Sequence, residues 1–449
     1  MSTEDDLTNN AQGADNSGSV APMRWLYVII IGLGFFTTGA SWSVYNSYLP
    51  AAFLPFYIKG DLQNTIIGAI MVLDNIFAFF MQPYLGARSD KTRTRWGRRM
   101  PYIMIGIPVA ATFFTLIAYG WAVFGFWMMF TFITIFNIAM AFYRAPVVAL
   151  MPDLIHSEHR SKANGVINLM GGIGAVYAFA VTPQIYRIND PGIGATLGVT
   201  AAQSGPVLVF LTTSVLMVFS LVILFVAIKE PKVPPVDAES RKEIGIIEAF
   251  RLVSFSKDRS AAAICGAIFM WFLSYNVIET WFTKYGTDVL HLPVADATFL
   301  LTAISLVFVI FAVPAGFIPS RLGRKNTILG GIVIMLVSLL MLWLTTDYWT
   351  IFGILAIAGI GWAMINVNSI VILWELLGKS RIGAGTGLYY FFSMGAAIIG
   401  PFSVGVLFDI IGIAYMYPIS LTLMIVAFVL TLMIKTGEVG DEARSEIAA

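Results

Sequence analysis

SDKTRTRWGRR, residues 89–99, sits between two long apolar runs, so the chain leaves a bilayer and re-enters it through a dense basic turn. A shorter echo, Ser320-Arg-Leu-Gly-Arg-Lys325, follows another apolar run in the second half of the chain. A glycine precedes each turn (Gly86, Gly316). One basic turn is topology; two at matching places in two halves point to a duplicated bundle.

Working outward, 58% of the 449 residues are hydrophobic, only 12% are charged, and the mean hydropathy is +0.81. Soluble domains carry about 25% charged residues, which excludes a soluble globular fold. A single cysteine, Cys265, excludes an internal disulfide and a thiolate metal cage. Three scattered histidines (His156, His159, His291) argue against a zinc site, and no metal or cofactor is expected. Residues 1–23 are polar and acidic and read as a disordered cytoplasmic tail before an uncleaved first helix.

A spanning helix needs about 20 mostly apolar residues. The expected fold is therefore all-α, a polytopic membrane protein with twelve transmembrane helices in two pseudo-symmetric six-helix bundles. The spans fall near 25–57 (interrupted by Pro50 and Pro55), 65–87, 101–121, 124–150, 165–187, 205–228, 260–285, 295–318, 326–345, 349–376, 383–410 and 413–435. Residues 24–228 and 259–435 form the two bundles. Residues 229–258 are a charged, proline-bearing cytoplasmic linker whose stretch Ile244 to Phe255 has the pattern of a surface helix. Residues 436–449 are a second cytoplasmic tail. With both termini inside, the five inner loops hold 20 of the 27 Lys and Arg, and the outer side holds Lys59, Arg187 and Lys284. That asymmetry sets the expected orientation in a cell membrane.

The halves also rhyme in detail. Tyr45-Asn46 in span one matches Tyr275-Asn276 in span seven, and Arg144…Asp153 in span four has the spacing of Asn366…Glu375 in span ten. Parallel repeats about an axis along the membrane normal, with substrate held at mid-depth, describe the major facilitator architecture.

Gln82-Pro83-x-x-Gly86-x-x-Ser89-Asp90-Lys91, followed by Arg93-x-Arg95-x-Gly97-Arg98-Arg99-x-Pro101-Tyr102, resembles the signature of the glycoside–pentoside–hexuronide carriers of the major facilitator superfamily, and within them the sucrose-transporter branch. Asn137, Arg144-Ala145, Asp153-Leu154, Arg160 and Ala163-Asn164 are similar to that branch's pattern. Gly385-Thr-Gly-Leu-Tyr-Tyr390 is similar to its bacterial members. The resemblance implies proton-driven uptake of a glycoside such as sucrose or maltose. The chain departs from the pattern twice. Ala78 and Gln82 stand where melibiose-type carriers place two sodium-binding aspartates. Ile133 stands where the sucrose branch has an aspartate in span four.

An ionised side chain at the bilayer centre costs roughly 2.5–3.5 kcal/mol and so calls for a partner or a use. Asp74, mid-way along span two, reads as a proton carrier or as a strut to a neighbouring helix. Glu279 shares a face of span seven with Tyr275 and Trp271, a carboxylate for sugar hydroxyls beside rings that stack on a sugar's apolar face. The alternative for Glu279 is a pore-mouth charge near the outer interface. Asp74 and Glu279 are the candidate proton-coupling residues. Arg144 must find an anion within the bundle, either the substrate or, structurally, Asp153 or Glu375. Trp42, Tyr45 and Asn46 in span one, Tyr275 and Asn276 in span seven, and Trp362 and Asn366 with Ser369 in span ten complete the candidate substrate set. For any one aromatic, lipid contact is the commoner fate. Asp90, Arg98, Arg99, Asp153, Arg321, Arg324 and Glu375 are candidate gate residues whose pairs hold one conformation and break in the other, on top of simple positive-inside anchoring.

Gly378-Lys379-Ser380 mimics the end of a phosphate loop, but Leu373 replaces its first glycine and no strand precedes it. Gly171-Gly172-x-Gly174 and Gly383-x-Gly385-x-Gly387 read as sites of close helix packing. No catalytic constellation and no nucleic-acid surface is present, so the expected partners are a small sugar, a proton and the bilayer, with the carrier a monomer. The rival readings are a proton-coupled efflux carrier for hydrophobic molecules, a downhill sugar facilitator, and a polytopic enzyme or receptor, whose catalytic cluster or large outer domain the chain lacks.

Overall fold

The computed structural model describes residues 25–155, 159–230, 259–377 and 382–435. The expected tails 1–23 and 436–449, the linker beyond Glu230 with its surface helix, and Gly378-Lys379-Ser380 lie outside the described residues. Among the described residues twelve helical spans are long and apolar enough to cross a bilayer. They are Trp25–Tyr57, Gln63–Lys91, Met100–Phe124, Phe126–Leu154, Ala163–Tyr186, Ala201–Ala227, Ser260–Asp288, Val294–Leu322, Arg324–Leu344, Tyr348–Leu377, Gly385–Ile411 and Ile413–Leu432. They are numbered here as spans one to twelve, and no end departs from its sequence expectation by more than four residues. The protein is a multi-pass, all-α membrane protein.

Several spans are not continuous α-helices. Span one passes through a π-helical turn at Leu49–Phe53 and ends in the short helix Leu54–Tyr57, because Pro50 and Pro55 each remove a backbone donor. Span five has a π-helical turn at Tyr177–Val181. Span two is two helices, Gln63–Met71 and Leu73–Lys91, parted at Val72. The sequence around Val72 offers no proline or glycine to announce that break.

By contacts the chain divides into two units. One comprises Met1–Trp42, Phe77–Ala175 and Asn189–Ser240; the other Ser43–Ile76, Val176–Ile188 and Arg241–Ala449. In this division the stretches of spans one, two and five remote from the basic turns group with the second half of the chain.

Glycines and aromatics build both cores. In the first unit a Cβ on Gly39 would collide with the Gly171 carbonyl, and one on Gly174 with the Phe36 carbonyl, so spans one and five touch backbone to backbone. Phe114 packs against Phe136 and Phe210, tying spans three, four and six. In the second unit Gly331 and Gly361 approach each other's carbonyls, Trp281 meets Phe408 edge-on, and Tyr285 meets Tyr417. Gly385 also has close neighbours, whereas Gly387 faces open space, so close packing does not explain that glycine.

Both basic turns pivot on a glycine in a backbone conformation that other residues rarely adopt: Gly97 at φ 107° and Gly323 at φ 79°. Each places an arginine immediately after it at the start of the next span.

Candidate functional site

In the second unit span seven presents Phe272, Tyr275, Asn276 and Glu279 within two turns. The Tyr275 ring lies parallel to Trp362 of span ten, with centroids 4.0 Å apart and 3° between planes. Phe272 meets Trp362 edge-on at 5.4 Å and Tyr389 at 5.8 Å. Ser369 of span ten donates to the Asn366 carbonyl at 2.8 Å. One turn beyond Tyr275, the Glu279 carboxylate is half-buried, with the Asn46 side chain of span one close enough to favour its charge. Four predicted residues therefore come together: Asn46, Tyr275, Glu279 and Trp362. An aromatic slab beside a carboxylate and an amide is chemistry that suits a polyhydroxylated ring.

The other candidates are placed differently. Tyr45 is wholly buried in span one. The Asn276 amide donates to its own helix at the Phe272 carbonyl (2.6 Å), so one of its two N–H donors is taken. Asn366 is half-buried, while its neighbour Asn368 is the buried amide of span ten. Asp74 is buried in the first turn of Leu73–Lys91 and accepts a hydrogen bond from the Asn75 amide at 2.7 Å. A carboxylate in the first turn faces the positive end of the helix dipole, which the break at Val72 supplies.

In the first unit Trp42 meets Phe136 edge-on at 5.9 Å. Arg144 is half-buried and makes no ion pair with any described residue. Both of its expected structural partners are engaged elsewhere. Asp153 accepts from Arg98 Nη2 at 2.6 Å and Arg99 Nε at 2.9 Å, and Arg99 also pairs with Asp90 and bonds Ser89. In the second unit Glu375 pairs with Arg324 Nε at 2.5 Å, and Arg324 reaches Asn368 at 3.3 Å. The Asn368 amide in turn donates to the Ala315 and Met364 carbonyls. So each unit has its own arginine–carboxylate cluster where a basic turn meets the C-terminal end of span four or ten.

Arg321 does not join the second cluster. It is exposed, two residues before Gly323, and makes no ion pair among the described residues. The turn's other cation, Lys325, donates instead to the Leu432 and Ile434 carbonyls at the end of span twelve.

Sequence reading missed Glu230, which completes the first cluster. Its side chain is 0% exposed and accepts the Arg99 backbone N–H at 2.8 Å and that of Met100 at 3.1 Å. It thus caps span three, whose first backbone donors have no partner in their own helix. Burial pushes its carboxyl above the usual carboxylate range, opposed by the backbone donors of Arg99, Met100 and Arg98. Its signal was available: an acid just after an apolar span and immediately before Pro231. Tyr48 was missed as well; it bonds Thr182 at 2.9 Å and stacks on Tyr186.

With this geometry in place, comparison with known proteins places the chain. A family profile described as MFS/sugar transport protein matches residues 30–377. The chain belongs to this family. Its members are transporters rather than enzymes, and the resemblance to the glycoside–pentoside–hexuronide carriers holds. Among relatives, the isoprimeverose transporter of Lactiplantibacillus pentosus is 23% identical over 327 residues, 71% of this chain and 64% of that protein. The sucrose transport protein SUC4 of Arabidopsis thaliana is 28% identical over 148 residues, 28% of each chain. The match thus spans less than two thirds of either relative's own length. Among solved structures, a nucleoside transporter, NupG, has the same fold, with a TM-score of 0.67 and 16% identity over 92% of this chain and 99% of that one.

Proposed function

We propose that this MFS/sugar transport family member is a secondary active transporter that takes up a glycoside or disaccharide of the sucrose or maltose kind, together with protons, by alternating access. The observation that carries the reading is the parallel Tyr275–Trp362 pair, stacked 4.0 Å apart inside an apolar bundle one turn from Glu279, which has the Asn46 side chain beside it. The rings offer an apolar face for a pyranose, and the carboxylate and amide offer partners for its hydroxyls. The names of the two relatives, an isoprimeverose and a sucrose transporter, favour a sugar.

Asp74 and Glu279 are the proton-coupling carboxylates of this proposal. Arg144, whose charge no described carboxylate balances, orients the sugar. Trp42, Tyr45, Asn46, Asn276 and Asn366 supply the remaining walls and hydrogen bonds. Asp90, Arg98, Arg99 and Asp153 form one inner latch, and Arg324 with Glu375 the other. The protein acts as a monomer in the cell membrane with both termini in the cytoplasm.

Uptake of labelled sucrose and maltose into vesicles, with and without an imposed proton gradient, tests this reading. Accumulation above equilibrium that collapses with an uncoupler is the expected result. Equilibration alone would make the protein a facilitator, and no sugar-dependent flux at all would overturn the proposal.

A further inference from the structure

Gln63–Met71, the outer helix of span two, has no cap of its own. Leu62 stands at its N-cap, a residue without a side-chain acceptor. The cap comes from span eleven. Asp409 Oδ1 accepts from the Asn64 backbone N–H at 3.0 Å and its amide at 2.9 Å, while Oδ2 accepts from the Thr65 backbone N–H at 2.7 Å and its hydroxyl at 2.6 Å. One carboxylate thus takes four donors across a helix N-terminus, where negative charge is favoured. Below it the two helices touch at their backbones. A Cβ on Gly405 would collide with the Asn64 carbonyl, and one on Gly68 would lie 2.5 Å from the Pro401 carbonyl.

We infer that Asp409 is a positioning residue of the transport cycle, a latch that holds Gln63–Met71 against span eleven and releases it whenever the end of the bundle remote from the basic turns opens. The inference rests on the proposed alternating-access reading. Three features fit a reversible contact better than a permanent one. The four bonds converge on one carboxylate, so they make and break together. Asp409 and its partners are only part-buried, so water can replace every bond on opening. The held helix is divided from Leu73–Lys91 at Val72, which gives span two a place to bend while Val72 keeps its backbone bonds to Gly68 and Ile76.

Opening is read by a thiol at Val404, which is 2% exposed beside Gly405, in the variant Val404→Cys with the buried Cys265 replaced by serine. A membrane-impermeant maleimide added to right-side-out vesicles labels this site only when the outer end parts. Asp409→Asn should raise the labelling rate about tenfold, the effect of weakening a charge-assisted cap, and Asp409→Glu should return it toward the parent rate. Gly68→Ala, which forces the helices apart without touching the carboxylate, should raise labelling too and reports if Asp409→Asn fails to fold. Unchanged labelling in Asp409→Asn with only a lowered melting temperature would reduce the residue to a structural cap and overturn the inference. A rise in Gly68→Ala beside an unchanged rate in folded Asp409→Asn would overturn it equally, by tracing the closure to packing. Labelling needs no sugar, so failure of the sugar-uptake proposal would be seen separately.

Discussion

Arg144 is a charge in an apolar bundle that no described carboxylate neutralises, and such a charge is costly unless something binds it. If it serves a sugar rather than an ion pair, Arg144→Ala should weaken sugar affinity about ten- to hundredfold, the worth of a charged hydrogen bond. Its melting temperature should stay near wild type. For the same reason, charge reversal at Asp153 or Glu375 should not rescue Arg144→Glu, as judged by counterflow. Residue chemistry is partly legible in the sequence. Glu279, Tyr275 and Trp362 are marked by a carboxylate and rings at helical spacing, and they meet. Asp409 is equally visible as a carboxylate inside an apolar span, yet its role depends on a partner in span two that no local pattern names. Arg321 enters the candidate set because the second basic turn echoes the first, but an echo of composition does not fix which cation of a turn finds the acid.

Among the elements, span boundaries are the easiest to read, since twenty apolar residues between charged turns leave little freedom. The Val72 break is not, because a turn of helix can lose its hydrogen bonds through tertiary packing without a breaker residue. The linker stretch hides Glu230 in the same way: its importance lies in the backbone donors of Arg99 and Met100, far off in sequence. Glu230→Ala should leave those donors unsatisfied beneath a void at Gly97 and lower stability by roughly 2 kcal/mol, seen as a lower melting temperature in detergent. Glu230→Gln keeps the shape and should cost less. Burial raises this carboxyl's native pKa above its unfolded value, so its contribution to stability is full in acid and is lost as pH rises through the native pKa. Melting measured across the acid range should therefore fall less steeply with pH in Glu230→Gln than in wild type.

For the whole molecule, the decisive distinction is accumulation against exchange. Asp74→Asn should abolish gradient-driven accumulation while leaving sugar counterflow intact, because exchange can proceed without a proton leaving the carrier. Active uptake by that mutant, measured in the same vesicles, would remove Asp74 from the coupling scheme. The duplicated plan is legible at this scale from two basic turns, and the glycine–arginine–carboxylate arrangement recurs in both units. The grouping of the stretches of spans one, two and five remote from the basic turns with the second half is not legible, because it is decided by which helices touch. The interruption at Val72 has one more consequence. An unbroken rod is stiff along its whole length, whereas an interruption in its middle gives the span a place to flex, with Val72 still bonded to Gly68 and Ile76 across it. Asp74 sits two residues past that point, so under the proposed coupling a change in its charge acts where the span yields most readily.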